Sequence, residues 1–239
     1  MRSDFVQRAA LAIRRPDMLL RKLRGKEIIE IGLDEIAPFL GDAPVILEAG
    51  ALNGSDTVSM AEQWPASTIY AFEPVPAAYE EVRRRTAHLP QVNTYQLALS
   101  DSSGSAGLHV STNAEGGYRP DSSSLLSPTG HLREFPDVTF TETLTVETLT
   151  LSDWANREAV ERIDFMWLDM QGMELSMLQA SPQVLAQTTA VLMEVMRQHL
   201  YEGNPLYDEV LAWMGSQGFR AAIDRMPLRY GNVLFVRNG

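Results

Sequence analysis

Val45-Ile46-Leu47-Glu48-Ala49-Gly50-Ala51-Leu52-Asn53-Gly54, followed by Ser55-Asp56-Thr57, is the stretch whose reading decides the fold. A short run of apolar residues without polar alternation is what a strand buried on both faces requires. The two glycines let the backbone turn tightly, and a helical pattern then runs from Asp56 to Gln63 before Trp64-Pro65. Strand, glycine turn and helix in that order predict the opening unit of a parallel sheet with crossover helices.

The same alternation continues outward from this unit. Thr68 to Phe72 reads as a second strand, Pro76 to His88 as a surface crossover helix, and Val92 to Leu99 as a third strand. Between Ser111 and Pro136 the pattern dissolves into Ser, Thr, Asn, Gly and Pro, too long for an ordinary connection, so about 112–136 is expected to be a lid-like insert. Val138 to Leu149 alternates Thr or Glu with apolar residues and predicts a half-exposed, antiparallel strand. Leu151 to Arg162 is mostly helical, and Ile163 to Leu168 is the strongest central strand, running into Asp169-Met170-Gln171-Gly172 and a helix from Met173. Ala190 to Val195 predicts the next strand and Pro205 to Gln217 a helix, with Phe219 to Ile223 and Val233 to Val236 as a terminal hairpin. No internal repeat is present. The expected fold is α/β, a Rossmann-like doubly wound sheet, mostly parallel with an antiparallel edge strand.

Composition narrows the function. The chain has 239 residues, 45% apolar and 21% charged, enough for one core without staples, and residues 43–239 are expected to form one domain. Zero cysteines exclude disulfide scaffolds, thiolate nucleophiles and thiolate-held zinc or iron–sulfur centres. A net charge of -11 repels a phosphate backbone and argues against nucleic acid as a partner. The charge is uneven: residues 1–26 carry six Arg and two Lys against Asp4 and Asp17. Apolar residues there recur at helical spacing, so residues 1–42 are expected to be a helical extension packed on the core. Contact with a membrane surface, a partner or a second copy of the chain through that basic helix stays open. No segment approaches the roughly 20 apolar residues of a transmembrane span or the pattern of a signal peptide, and the expected location is the cytoplasm.

In open sheets of this type ligands bind beyond the carboxyl ends of the strands. Four such ends are Glu48 to Gly54, Glu73-Pro74, Ala98 to Asp101, and Asp169 to Gly172. The first is not a dinucleotide fingerprint. Where Gly-x-Gly-x-x-Gly has its middle glycine to admit a pyrophosphate, this chain has Leu52. Glu73 follows Gly54 by 19 residues and ends the second strand, where an ionised carboxylate accepts hydrogen bonds from ribose hydroxyls. A ribose-bearing ligand without pyrophosphate, with positive charge near the acidic Glu48 turn, describes S-adenosylmethionine.

At this point the chain resembles the FkbM-type S-adenosylmethionine-dependent methyltransferases. The matching stretches are LEAGALNGSDT at 47–57, YAFEPVP at 70–76, LALSD at 97–101, LTLSDW at 149–154 and DFMWLDMQGMELSML at 164–178. The resemblance implies the class I methyltransferase sheet and transfer of a methyl group to a hydroxyl, often on a sugar of a glycoconjugate or on a secondary metabolite. It also implies that Glu48, Gly50, Asn53 and Gly54 frame the methionine part, that Glu73 holds the ribose, that Leu99 and Ser100 lie by the adenine and that Asp169 lies near the methyl donor. Ala51, Pro74 and Met170, beside these positions, are expected to be further cofactor contacts. The chain departs from the family's Lys-x-Asp-x-Glu-Gly-x-Glu pattern, reading Trp167-Leu168-Asp169-Met170-Gln171-Gly172-Met173-Glu174. A Gln amide takes no proton at neutral pH, so residue 171 is no base, and Trp167 is either packing or an aromatic wall.

The acceptor hydroxyl must lose its proton. Asp169 is the first choice of base, with Glu174 and His199 as the other acid–base candidates, and Ser124, Gln171, Glu194 and Tyr201 as acceptor contacts. Asp169 with Glu194 also suits a hard divalent ion, a reading not favoured because strand-end carboxylates need no metal to explain them. Met166, Met170, Met173 and Met177 fit core filling. Two competing classes keep part of the argument: an NAD-dependent oxidoreductase, and a cofactor-binding or interaction domain of the same fold without catalysis.

Overall fold

The computed structural model describes residues 30–226 and 229–239. Most of the expected N-terminal extension therefore lies outside the described residues. Its end, around α1 (Leu33–Ile36), packs Ile31 and Ile36 under one face of the main sheet.

From there the chain alternates as the apolar runs require. The elements are β1 (Val45–Ala49), α2 (Ser55–Gln63), β2 (Thr68–Phe72), α3 (Pro76–Thr86) and β3 (Val92–Tyr95). A separate three-stranded sheet follows, from β4 (Ala98–Ser100), β5 (Gly104–Asn113) and β6 (Val138–Thr150), with the short α4 (His131–Glu134) between the last two. The chain returns through α5 (Leu151–Arg157), β7 (Phe165–Leu168), α6 (Glu174–Gln179), α7 (Pro182–Ala186) and β8 (Ala190–Met196). It ends with α8 (Tyr207–Ser216), β9 (Phe219–Arg225) and β10 (Tyr230–Arg237).

The seven-stranded sheet has the order β3-β2-β1-β7-β8-β10-β9. All its pairings are parallel except those of β10, which runs antiparallel between β8 and β9. One face buries Leu47, Phe72, Met166, Val191 and Trp154, and the other Ile46, Met60, Ile69, Phe165 and Leu192. Two-sided burial is the physical reason the central strands read as continuous apolar runs. Among the described residues no helix is long and apolar enough to cross a membrane.

Two expectations are corrected. Val92 to Leu99 is not one strand: β3 joins the main sheet and β4 pairs with β6 in the second. The antiparallel, half-exposed strand expected over Val138 to Leu149 is β6, which pairs antiparallel with β5 and parallel with β4 in that second sheet. The helix expected over Leu151 to Arg162 stops at Arg157, and Ala159 turns the chain at φ 54°.

The strand order reverses between β1 and β7, which puts a crevice beyond their carboxyl ends. The two tips touch there. Asp169 N donates to Ala49 O at 2.9 Å, and Gly50, at φ 91°, leaves room for the Asp169 carbonyl where a Cβ would stand 2.0 Å from its oxygen. Both the left-handed backbone and the contact forbid a side chain. Gly50→Ala is expected to cost about 3 kcal/mol or more. Thermal unfolding followed by circular dichroism should show a melting temperature lower by roughly 6 °C or more.

Candidate active site

A cavity of about 370 Å³ opens at this switch point, within the range of small-molecule sites. Its floor is the β1 turn, where Gly50, Ala51, Leu52 and Asn53 line the wall, and Ser55 and Asp56 bring the N-terminus of α2 to it. Leu52 holds φ 53°, a conformation that costs a non-glycine residue and persists where the surroundings dictate it. Glu73 dictates it here: one carboxylate oxygen accepts Leu52 N at 2.8 Å and the other accepts Val75 N at 2.8 Å. Glu73 thus ties the β1 turn to the end of β2 while lining the cavity, and each oxygen keeps a lone pair for a ligand. Burial pushes its carboxyl up to about 7, with the backbone N–H donors opposing the shift and the charges of Glu48 and Asp169 adding to it.

The side wall beyond Glu73 is apolar, built by Phe72, Val75, Leu97, Leu99 and Leu108. It makes a slot for a flat ring. Arg119 to Asp121 and Ser123 to Leu125, from the segment between β5 and α4, close the slot. That segment is held down where it meets the site. The Ser124 hydroxyl donates to Gln171 O at 2.9 Å, and Ser111 accepts Ser122 N at 3.0 Å.

The tip of β7 carries the polar centre. Asp169, Met170 and Gln171 line the cavity, with Glu194 from β8 opposite. The Gln171 amide nitrogen donates to Asp169 Oδ1 at 2.6 Å and to Glu194 Oε2 at 3.1 Å. Its carbonyl oxygen faces the Tyr201 hydroxyl at 2.9 Å, whose single proton lies between it and Ser122 O at 2.8 Å. A neutral amide therefore holds two carboxylates that would otherwise repel each other. Burial, followed by the charges of Glu194, Asp169, Glu174 and Asp121, pushes the Tyr201 phenol up and keeps it a donor. Tyr201→Phe removes that donor, and turnover is expected to fall about tenfold through looser placement of Asp169. Steady-state kinetics check this against the affinity for S-adenosylhomocysteine, which should stay within about threefold.

Several sequence candidates stand elsewhere. Glu174 is buried behind the loop and accepts Met170 N at 2.7 Å and Gly172 N at 3.0 Å, so it braces Gln171 and does not line the cavity. Burial and the nearby Asp169 push its carboxyl up to about 7, against those backbone donors. His199 is exposed, with Nδ1 3.0 Å from Asn204 O, and also lies outside the cavity. Neither of these two acid–base candidates stands at the cavity wall. Glu48 is buried one layer behind the turn and accepts the Thr57 hydroxyl. Gly54 is the N-cap of α2 and backs on Val82, and the Ser100 hydroxyl turns to Asp101 at 3.2 Å. None of the three lines the wall, and Tyr201 acts through Gln171 rather than from the wall itself. The remaining nominations, Gly50, Ala51, Asn53, Glu73, Pro74, Leu99, Asp169, Met170, Ser124, Gln171 and Glu194, do line it.

Sequence reasoning passed over Glu30, Leu192 and Asn232, which line the far end with Trp167. Asn232, a polar residue inside the apolar β10, carried a signal. Glu30 and Leu192 carried none. Between Asp169 and Glu194, the pair that suits a divalent ion by its chemistry, stands the Gln171 amide. Among the described residues no group of three or more His, Asp and Glu side chains is arranged to hold a metal.

Among the described lining residues carboxylates dominate: Glu30, Asp56, Glu73, Asp121, Asp169 and Glu194. The cation among the described lining residues, Arg119, lies 3.3 Å from Asp121. Such a field favours a cationic ligand.

A family model described as the methyltransferase FkbM domain matches residues 48–221. A 2-O-methyltransferase, NoeI, of Sinorhizobium fredii (strain NBRC 101917 / NGR234) is 33% identical over 161 residues, 67% of this chain and 66% of that protein. The chain thus spans just under two thirds of that relative's length. Among solved structures, a fibrillarin/Nop5p complex aligns with a TM-score of 0.51 at 14% identity, over 83% of this chain and 75% of that one, a likeness of fold. An rRNA methylase from Streptococcus thermophilus aligns with a TM-score of 0.48 at 15% identity, over 88% and 98%.

Proposed function

Because the chain belongs to the FkbM methyltransferase family, we propose that it is an S-adenosylmethionine-dependent O-methyltransferase acting on a sugar hydroxyl of a small molecule or glycoconjugate. The observation that carries this is Glu73: a carboxylate in the cavity wall, oriented by two backbone donors, at the strand end from which ribose hydroxyls are held. The donor set fits the rest of the ligand, since the apolar slot suits an adenine and the acidic centre an ammonium and a sulfonium. That the relative NoeI is a 2-O-methyltransferase supports oxygen as the atom methylated.

When bound, S-adenosylmethionine supplies a methyl group whose bond to sulfur breaks as the bond to the acceptor oxygen forms. The residues do the positioning. Asp169, at the tip of β7, takes the acceptor proton on a carboxylate oxygen while Gln171 holds its other side. The clamp from Tyr201 through Gln171 keeps Asp169 and Glu194 in one geometry, so that alignment is established before the reaction.

Calorimetry with S-adenosylhomocysteine and with NAD tests the reading: the first should bind and the second should not. Affinity should also rise with pH. The Glu73 carboxyl, raised to about 7, is neutral below that value and gives up one acceptor site, whereas above it both oxygens accept. A gain of roughly three- to tenfold is expected between pH 6 and pH 8. Binding of NAD and not of S-adenosylhomocysteine would sink the assignment, whereas flat affinity across that range would contradict only the titration given to Glu73.

A further inference from the structure

Arg119 and Asp121 line the cavity from the segment that closes the slot, and the chemistry above uses neither. Their backbone is pinned to the second sheet by Ser111, a buried residue of β5. The Ser111 hydroxyl donates to Arg119 O at 2.7 Å and accepts Ser122 N at 3.0 Å, and Ser111 N donates to Ser123 Oγ at 3.0 Å. Pro120 opens a tight turn over Pro120–Ser122, and its fixed φ sets Asp121 beside Arg119. The turn is also tied to the reaction centre. Ser122 O accepts the Tyr201 hydroxyl, Tyr201 reaches Gln171, and Gln171 reaches Asp169. Asp121 is thus held in a fixed relation to the carboxylate that takes the acceptor proton.

The ion pair leaves much of its hydrogen-bonding capacity unused. Arg119 Nε lies 3.3 Å from Asp121 Oδ1 and 3.5 Å from Oδ2. Asp121 Oδ1 is buried and has no hydrogen-bond partner among the described residues, and neither Nη1 nor Nη2 of Arg119 has one there. A buried carboxylate oxygen without a donor costs free energy, which a ligand bringing that donor recovers. The wall therefore presents a strong acceptor beside a planar, two-pronged donor, both on a turn fixed before any ligand arrives.

We propose that Arg119 and Asp121 form a diol site for the acceptor sugar, which holds two adjacent ring hydroxyls next to the one methylated. The proposal rests on the methyltransferase reading and deepens it. Each hydroxyl has one proton to give and two lone pairs to offer, so a neighbouring pair can donate to Asp121 Oδ1 and accept from Arg119 Nη1 and Nη2. The ribose hydroxyls of the cofactor have Glu73, so a second diol site falls to the other substrate. Arg119 and Asp121 balance each other in charge, so the site selects by the position of hydroxyls on the ring. An acceptor with only one hydroxyl in reach makes half of these bonds and leaves the other partner unsatisfied.

The test uses the full chain saturated with S-adenosylhomocysteine, with binding read by saturation-transfer difference NMR. The probes are methyl α-D-glucopyranoside, methyl α-D-mannopyranoside and methyl α-L-rhamnopyranoside, then the 2-, 3- and 4-deoxy forms of whichever binds best. At least one glycoside should bind. Arg119→Ala should weaken it by about tenfold or more, and Arg119→Lys, which keeps the charge and loses the fork, by about fivefold. Asp121→Asn should also weaken it by about fivefold. In the wild type two adjacent deoxy positions should each cost about fivefold or more. In Arg119→Ala the same deletions should cost less than about twofold, because the missing hydroxyl has already lost its partner. Affinity for S-adenosylhomocysteine should stay within about twofold in all three variants, which also reports that they fold. Failure of every glycoside to bind, retained glycoside affinity in Arg119→Ala, or equal deoxy losses in wild type and variant overturns the diol site alone. Loss of S-adenosylhomocysteine affinity in Arg119→Ala gives the pair to the cofactor and also overturns it. A wild-type chain that does not bind S-adenosylhomocysteine at all refutes the methyltransferase reading instead.

Discussion

Glu73→Gln is expected to weaken S-adenosylhomocysteine binding by about 100-fold at pH 8. The substitution keeps the volume of the side chain and removes its charge. Each ribose hydroxyl then meets a neutral group, and the loss of two charge-assisted hydrogen bonds costs about 3 kcal/mol, which is that factor of about 100. A second effect accompanies it. The carboxylate now receives Leu52 N on one oxygen and Val75 N on the other, both at 2.8 Å. An amide presents one oxygen, so one of these N–H groups faces an NH₂ and loses its partner. That costs a further ~1 to 3 kcal/mol of stability, because the donor is buried. The melting temperature should fall by several degrees, as 1 kcal/mol corresponds to about 2 to 4 °C in a chain of this size. The pH dependence of binding should vanish with the titrating group. Calorimetry at pH 6 and pH 8 on the folded variant separates the effects, and an unchanged dissociation constant contradicts the role given to Glu73.

Asp169→Asn is the second large effect, and it should divide the other way. The Asn side chain can turn its oxygen toward the Gln171 amide and so keep the 2.6 Å contact that the aspartate makes. Geometry is retained while the proton acceptor is lost. Turnover should fall by about 10²- to 10⁴-fold, the usual contribution of a positioned base. Affinity for S-adenosylhomocysteine should stay within about threefold. Transfer of a labelled methyl group to the glycoside that binds best measures the first quantity and calorimetry the second. Loss of affinity with little loss of turnover would make Asp169 a cofactor anchor.

The two variants differ because the two carboxylates differ in environment, which their sequence context did not reveal. Glu48, Glu73 and Asp169 sit at or just beyond strand ends, and Glu174 opens the helix that follows β7. Only folding separates them: Glu48 turns to Thr57, Glu174 caps the Met170-Gly172 turn, and Glu73 and Asp169 reach the cavity. Period and spacing say which face of a strand a side chain occupies. They do not say what packs against it.

The limits of sequence reading in the fold have the same origin. Thr68 to Phe72 has the bounds expected of it because a strand buried between two neighbours shows itself as an apolar run. Val92 to Leu99 misled because no glycine or proline interrupts the stretch. Nothing local marks that Gln96-Leu97 is where the chain leaves one sheet for another.

The local order of strand, glycine turn and helix was therefore determined by the sequence alone, and with it the α/β class, the Gly50 turn and the strand tips at Glu73 and Asp169. Burial periodicity and backbone freedom are properties of a few neighbouring residues. The clamp from Tyr201 through Gln171 to Asp169 and Glu194, and the placing of Arg119 and Asp121 beside it, were decided only by tertiary structure. They join residues from strands and loops far apart in the chain, and what sets them side by side is the packing of the two sheets and their loops.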